Sequence, residues 1–97
     1  MSPERSNAYR RVMKTLEDMG PSKLLDSEQQ RIRYAADNLV FAADLSTDLE
    51  AQEALADVVA LCGVLIESGR WEESSAGRLA ADVQGCGPVQ QAVLQAA

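Results

Sequence analysis

Apolar residues recur along most of this chain at spacings of three and four, the repeat of an α-helix. No segment alternates apolar with polar in the manner of a half-buried strand. The first stripe, Ala8, Val12, Leu16 and Met19 with Tyr9 and Met13 beside it, predicts a helix over about Pro3 to Met19. Ser2 suits the cap, Pro3 the first helical position and Glu4 the positive end of the helix dipole. Gly20-Pro21 reads as a stop, because glycine accepts a left-handed cap and proline has no N–H to continue the ladder. Residues 21–27 form a connector in which Asp26 or Ser27 caps the next helix.

A second helix is predicted over Ser27 to Ala43, with Ile32, Ala35, Ala36, Leu39, Val40 and Ala43 as its stripe. Tyr34 and Phe41 lie seven residues apart on a separate line of the same helix. Either this helix is central and covered on two sides, or the two rings are open to a partner. Thr47-Asp48-Leu49-Glu50 has the form of a capping box, and a third helix is predicted from about Asp48 to Glu67. Its second half carries Val58, Val59, Leu61, Cys62, Val64, Leu65 and Ile66 almost all the way round, which predicts burial on every side. Gly63 in its middle costs about 1 kcal/mol against alanine and lets a neighbouring helix come close. Ser68-Gly69 ends the helix, with Gly69 as a left-handed cap.

The fourth helix is predicted over Glu72 to Gln84, with Ala76, Leu79, Ala80 and Val83 inward and no strong cap residue before it. Trp71, just ahead of it, is expected to fold back over the core. Gly85-Cys86-Gly87-Pro88 breaks the chain, and Val89, Ala92, Val93 and Ala96 form a weak last stripe. Residues 88–97 are thus a short fifth helix or a peripheral tail. The whole is an all-α single domain, 1–97, built as a four-helix up-down bundle or a compact orthogonal array. Four helices in so short a chain leave helix 3 short of neighbours. This predicts a homodimer with helices 2 and 3 at the interface and Tyr34, Phe41, Leu61 and Val64 as the partner-binding residues.

Composition narrows the chemistry. With aromatics at 4%, the core must be aliphatic. The net charge of −6 argues against a phosphate backbone or an anionic membrane as partner. The charge is split, however: residues 1–33 hold seven bases against five acids, and residues 34–97 hold two bases against ten acids. Arg10, Arg11, Lys14, Arg31 and Arg33 could therefore give helices 1 and 2 a basic face for nucleic acid, which is the alternative reading. The longest apolar run, Val58 to Ile66, is far short of the roughly 20 residues that span a bilayer. No secretory signal opens the chain, and a cytoplasmic location is expected, which favours two reduced thiols at Cys62 and Cys86 over a disulfide between them.

No enzyme is expected. Histidine is absent, which removes the commonest general base, the Ser-His-Asp and Cys-His nucleophile systems, and a cysteine–histidine zinc site. No metal, no cofactor and no catalytic residue is assigned. Glu50 with Glu53 or Asp57 could pair as acids, but they fall on the polar side of helix 3 and read as a solvated face. Asp44, Asp48, Glu50, Glu53, Asp57, Glu72 and Glu73 offer charge to a basic cleft, as a mimic of nucleic acid would, without unusual density. In bulk the chain resembles an acyl carrier protein: small, acidic, four-helical, with Ser46 near a helix start. Such carriers place Asp-Ser-Leu at the start of their second helix. The residues here are Asp44-Leu45-Ser46-Thr47-Asp48-Leu49, which depart from that pattern and leave a carrier-like role third. The expected function is a non-enzymatic protein–protein interaction module, an adaptor or regulator, that self-associates.

Overall fold

The computed structural model describes residues 3–88, so the Ser2 cap and the stripe that starts at Val89 lie outside the described residues. The described residues form four helices: α1 (Pro3–Lys23), α2 (Asp26–Phe41), α3 (Leu49–Glu67) and α4 (Glu73–Gly85). Consecutive helices are neighbours, α4 returns to pack on α1, and α2 and α4 also meet across the centre. The start of α1 sits at the ends of α2 and α4, where Arg5 bonds Leu39 and Cys86. The end of α1 sits at the starts of α2 and α4, where the Lys23 carbonyl accepts from Trp71 and Arg70, and Arg70 reaches Glu28. Neighbours therefore run antiparallel, the chain order of an up-down bundle.

The core is aliphatic. Val12, Ile32, Leu39, Val58, Leu65, Leu79 and Val83 are its fully buried large side chains, with alanines 8, 35, 36, 51 and 76 between them. Small residues at the contacts let the helices come close. Trp71 is the one buried aromatic among the described residues, and its indole N–H donates to the Lys23 carbonyl at 3.3 Å. The ring thus anchors α4 as expected from its position, with its polar edge satisfied.

Several boundaries differ from those expected. α1 runs through Gly20 and Pro21 to Lys23, one turn past the expected stop. Proline lacks the N–H that would continue the ladder, so the last turn depends on support from outside the helix. The turn is closed by Leu24 N–H on the Gly20 carbonyl, and its end is held by the bonds from Trp71 and Arg70. Gly20 lies under the Gln29 side chain: a Cβ there would come 2.7 Å from Gln29 Oε1, which would have to move aside. α2 is capped at Leu25, not at Asp26 or Ser27, because Glu28 reaches back and accepts from the Leu25 N–H at 2.8 Å. The capping box at Thr47 does not form. Asp48 caps α3 by accepting from Ala51 N–H at 3.0 Å, while the Thr47 hydroxyl donates to the Asp44 carbonyl.

The end of α3 follows the sequence closely. Gly69 has φ +76°, Arg70 N–H bonds the Leu65 carbonyl, and Gly69 N–H bonds the Ile66 carbonyl. That pair of bonds is the Schellman end, which glycine permits because it has no Cβ. The expectation that the second half of α3 is buried on every side does not hold within the chain. Val58, Leu61, Cys62 and Leu65 turn inward, whereas Ala56, Val59, Ala60 and Val64 face outward, with Gly63 half-buried between them. Among the described helices α3 packs on α2 and α4 alone, so it has an inside and an outside, and an apolar residue on the outside stays there whatever its hydropathy.

Candidate interaction surface

Among the described residues, large apolar side chains are exposed on one half of the bundle only. Among the described residues they are Leu25, Tyr34, Phe41, Leu49, Val59 and Val64. Leu25 caps α2, Tyr34 and Phe41 are on it, and Leu49, Val59 and Val64 are on α3. None lies on α1 or α4. Single exposed apolar side chains are ordinary on any protein, so it is the segregation to one side that carries weight.

Of the four residues singled out from the sequence, three are on this side. Phe41 is 86% exposed, Val64 55% and Tyr34 53%. Leu61 does not join them: it is 3% exposed, in the core. Leu61 and Val64 are three apart, but Leu61 faces the bundle axis and Val64 lies just beyond the edge of the buried stripe. The two aromatics are the uncovered line of α2, not the second covered face of a central helix. Tyr34 leans over α3 and donates its hydroxyl to Glu50 at 3.2 Å. Phe41 sits at the mouth of a groove between α1 and α2 lined by Ser6, Tyr9, Arg10, Asp37 and Val40. Across that groove Tyr9 donates its hydroxyl to Asp37 at 2.7 Å, and losing that bond to the carboxylate holds the Tyr9 pKa above 10.

The basic residues are mostly engaged. The Arg5 guanidinium lies over the ends of two helices. Its Nε donates to the Cys86 carbonyl at 2.9 Å, and its Nη2 lies 2.7–2.9 Å from the carbonyls of Leu39, Val40 and Ala42. Nη2 has two hydrogens for three acceptors, so at least one is shared. Arg11 bonds the buried Asp82 at 2.9 Å, and Lys14 pairs with Asp18 at 3.3 Å. Arg31 grips Asp57 with two bonds of 2.7 and 2.9 Å. That bond holds the Asp57 carboxyl below its ordinary value, against the opposing effect of burial. Arg70 holds Glu28 through two bonds of 2.8 and 2.9 Å. The basic face expected on helices 1 and 2 is thereby reduced: Arg11, Lys14 and Arg31 already face acids, which leaves Arg10 and Arg33 without an acid partner among the described residues.

The acidic side is different. No lysine or arginine occurs between Arg33 and Arg70, a stretch that includes all of α3 and seven acids. Glu50, Glu53 and Asp57 line one edge of α3 beside Tyr34, around a shallow hollow floored by Ala54. Glu53 and Glu67 stand on its outward face. Among the described residues no group of three or more acids and cysteines is placed to hold a metal ion. Cys62 and Cys86 are both buried free thiols. Burial pushes both thiols up, Cys86 to about 11 with help from Asp82, so neither is poised as a nucleophile.

Sequence reasoning missed the Arg5 clamp and the Glu28–Arg70 pair. Neither has a local signature, since each joins residues 34 or more positions apart. Among the described residues no helix is long and apolar enough to cross a membrane. The chain was compared with family models, with curated proteins and with solved structures, and none matches it.

Proposed function

We propose that this protein is a non-enzymatic helical module that binds protein through the open side of α2 and α3, and that the same side lets two copies associate weakly. The observation that carries the reading is the placement of the exposed large apolar side chains, which among the described residues are all on or capping α2 and α3. Such a segregated face is the usual mark of a docking surface. The absence of histidine and the buried, raised thiols fit a role that needs no nucleophile.

Self-association through α3 has a built-in limit. If two α3 helices cross antiparallel about Ala60, Glu53 of one copy falls opposite Glu67 of the other, acid against acid. Pairing is therefore weak and grows with salt, which screens like charges. Sedimentation velocity over a concentration series tests this. The expected result is a reversible shift from monomer toward dimer, stronger at high salt and abolished by Val59→Glu with Val64→Glu. Both sites are exposed, so the double variant should fold normally. A wild-type chain that stays monomeric at every concentration and salt would remove self-association from the reading.

A further inference from the structure

We propose that the occupant best suited to the outward face of α3 is a basic amphipathic helix of another protein, held by its apolar stripe on Ala56, Val59, Ala60, Gly63 and Val64 and by cationic side chains on the flanking acids. The proposal rests on the docking side described above and names what fits it.

Shape comes first. Ala56, Ala60, Gly63 and Val64 repeat at spacings of three and four, and together with Val59 they form one outward surface of α3. Gly63 is informative because a Cβ built on it meets nothing within 4 Å. The close approach that its lack of a side chain permits is not used by any neighbour among the described residues. Packed helices sit 8–10 Å apart, and small residues at the contact set the lower end of that range. A helix laid along this face therefore finds a shallow bed with valines on both sides.

Charge selects the occupant. Glu53 and Glu67 lie on the bed itself, near its two ends, and Glu50 and Asp57 lie along one edge. Arg31, which reaches this edge, is already committed to Asp57 through two bonds, and Arg70, three residues past Glu67, is committed to Glu28. A second copy can offer α3 only another set of acids in a two-fold pairing. A basic helix replaces that repulsion with attraction while burying the same apolar surface. This is helix-in-groove recognition, in which anchors at helical spacing supply the burial and the charged rim sets register and partner.

The two modes depend on salt in opposite directions. Self-pairing strengthens as salt screens acid against acid, whereas docking of a basic helix weakens. The test uses the full chain and two synthetic peptides of one design, with leucines at helical spacing and either lysine or glutamate flanking them. Binding is followed by fluorescence anisotropy and mapped by backbone amide shifts. The expected result is saturable binding of the lysine peptide, weaker at high salt, with shifts along residues 53–67 and no binding of the glutamate twin. Glu53→Lys and Glu67→Lys should each weaken the lysine peptide about fivefold, the order of an exposed ion pair. Ala60→Trp should block it while circular dichroism stays native. If Ala60→Trp blocks a peptide that is indifferent to salt and to both charge reversals, the α3 face docks protein but the basic occupant is wrong. If no peptide binds, or binding ignores Ala60→Trp and maps elsewhere, the basic occupant fails, and in the latter case the α3 face fails with it.

Discussion

The contact most open to a decisive test is Arg5. One guanidinium bonds four main-chain carbonyls that belong to the ends of α2 and α4 and to the link after α2. The last carbonyls of a helix have no partner inside it, and the negative end of the helix dipole favours a cation there. Two helix ends contribute roughly 0.5 kcal/mol each on that account. The charged hydrogen bonds add about 2 kcal/mol net for the set, because water competes for a half-buried group. Replacing Arg5 with Met keeps much of the stem but removes both effects, a loss of about 3 kcal/mol. For a domain of this size that corresponds to a fall of roughly 12–24 °C in Tm. Arg5→Lys keeps the cation near the helix ends but lacks the planar fork, so it should recover about a third of the loss. Thermal and urea unfolding followed at 222 nm would measure both. A Tm for Arg5→Met within about 4 °C of wild type would show that water serves those carbonyls equally well and that the clamp adds little.

Glu28 gives a pH signature. Its bonds from Arg70, and then from the Leu25 N–H, hold its carboxyl below the ordinary 4.5 against the opposing effect of burial. A pKa lower in the folded state stabilises above the unfolded value and is lost as pH falls through the folded one. Urea midpoints should therefore drop as pH falls below about 4.3, and less steeply in Glu28→Gln; parallel profiles would contradict this. Gly63→Ala should raise monomer stability by about 1 kcal/mol, since the added methyl meets open space and removes a helix-weakening glycine. An unchanged or lower melting point at a concentration where the chain is monomeric would refute that. The Cys86 thiol, pushed up to about 11, and the buried Cys62 should label slowly with a thiol reagent at neutral pH, at a rate set by unfolding. Rapid labelling of either in the native chain would contradict the burial.

What the sequence reveals here is mostly what one helix decides alone. Most stripe positions of α1, α2 and α4 recur as buried rows, though Ala43 falls past the end of α2 and is exposed, and Gly69 ends α3 where the pattern says it should, because those features depend on period and on one residue's backbone freedom. The features that fail are decided between helices. Gly20-Pro21 looks like a stop, yet the turn persists because Trp71 and Arg70, about fifty residues away, hold its last carbonyl. Leu61 and Val64 look equivalent by hydropathy, and only the position of α3's neighbours assigns one to the core and the other to the surface. Phe41 is harder still. Its ring is the most exposed of the large apolar side chains among the described residues, and no rule of periodicity distinguishes a ring left outside from one covered by a fifth element.

The charge split along the chain takes on a different meaning once the helices are placed. Counted by sequence, the basic first third invites a nucleic-acid face. Placed in space, much of that charge is spent on joining helices: Arg5 on helix ends, Arg11 across to α4, Arg31 across to α3. Each such tie engages a base on an acid or carbonyl of another helix, and the two that end on acids, Arg11 to Asp82 and Arg31 to Asp57, also cancel charge as they close the bundle. The acids of α3 are only partly consumed in return, with Asp57 in an ion pair, Glu50 under a tyrosine hydroxyl, and Glu53 and Glu67 in no ion pair among the described residues. The excess negative charge thus collects beside the uncovered valines. An apolar strip alone would favour self-pairing, and an acidic strip alone would favour solvent. Their coincidence on one helix favours a partner that is both apolar and basic.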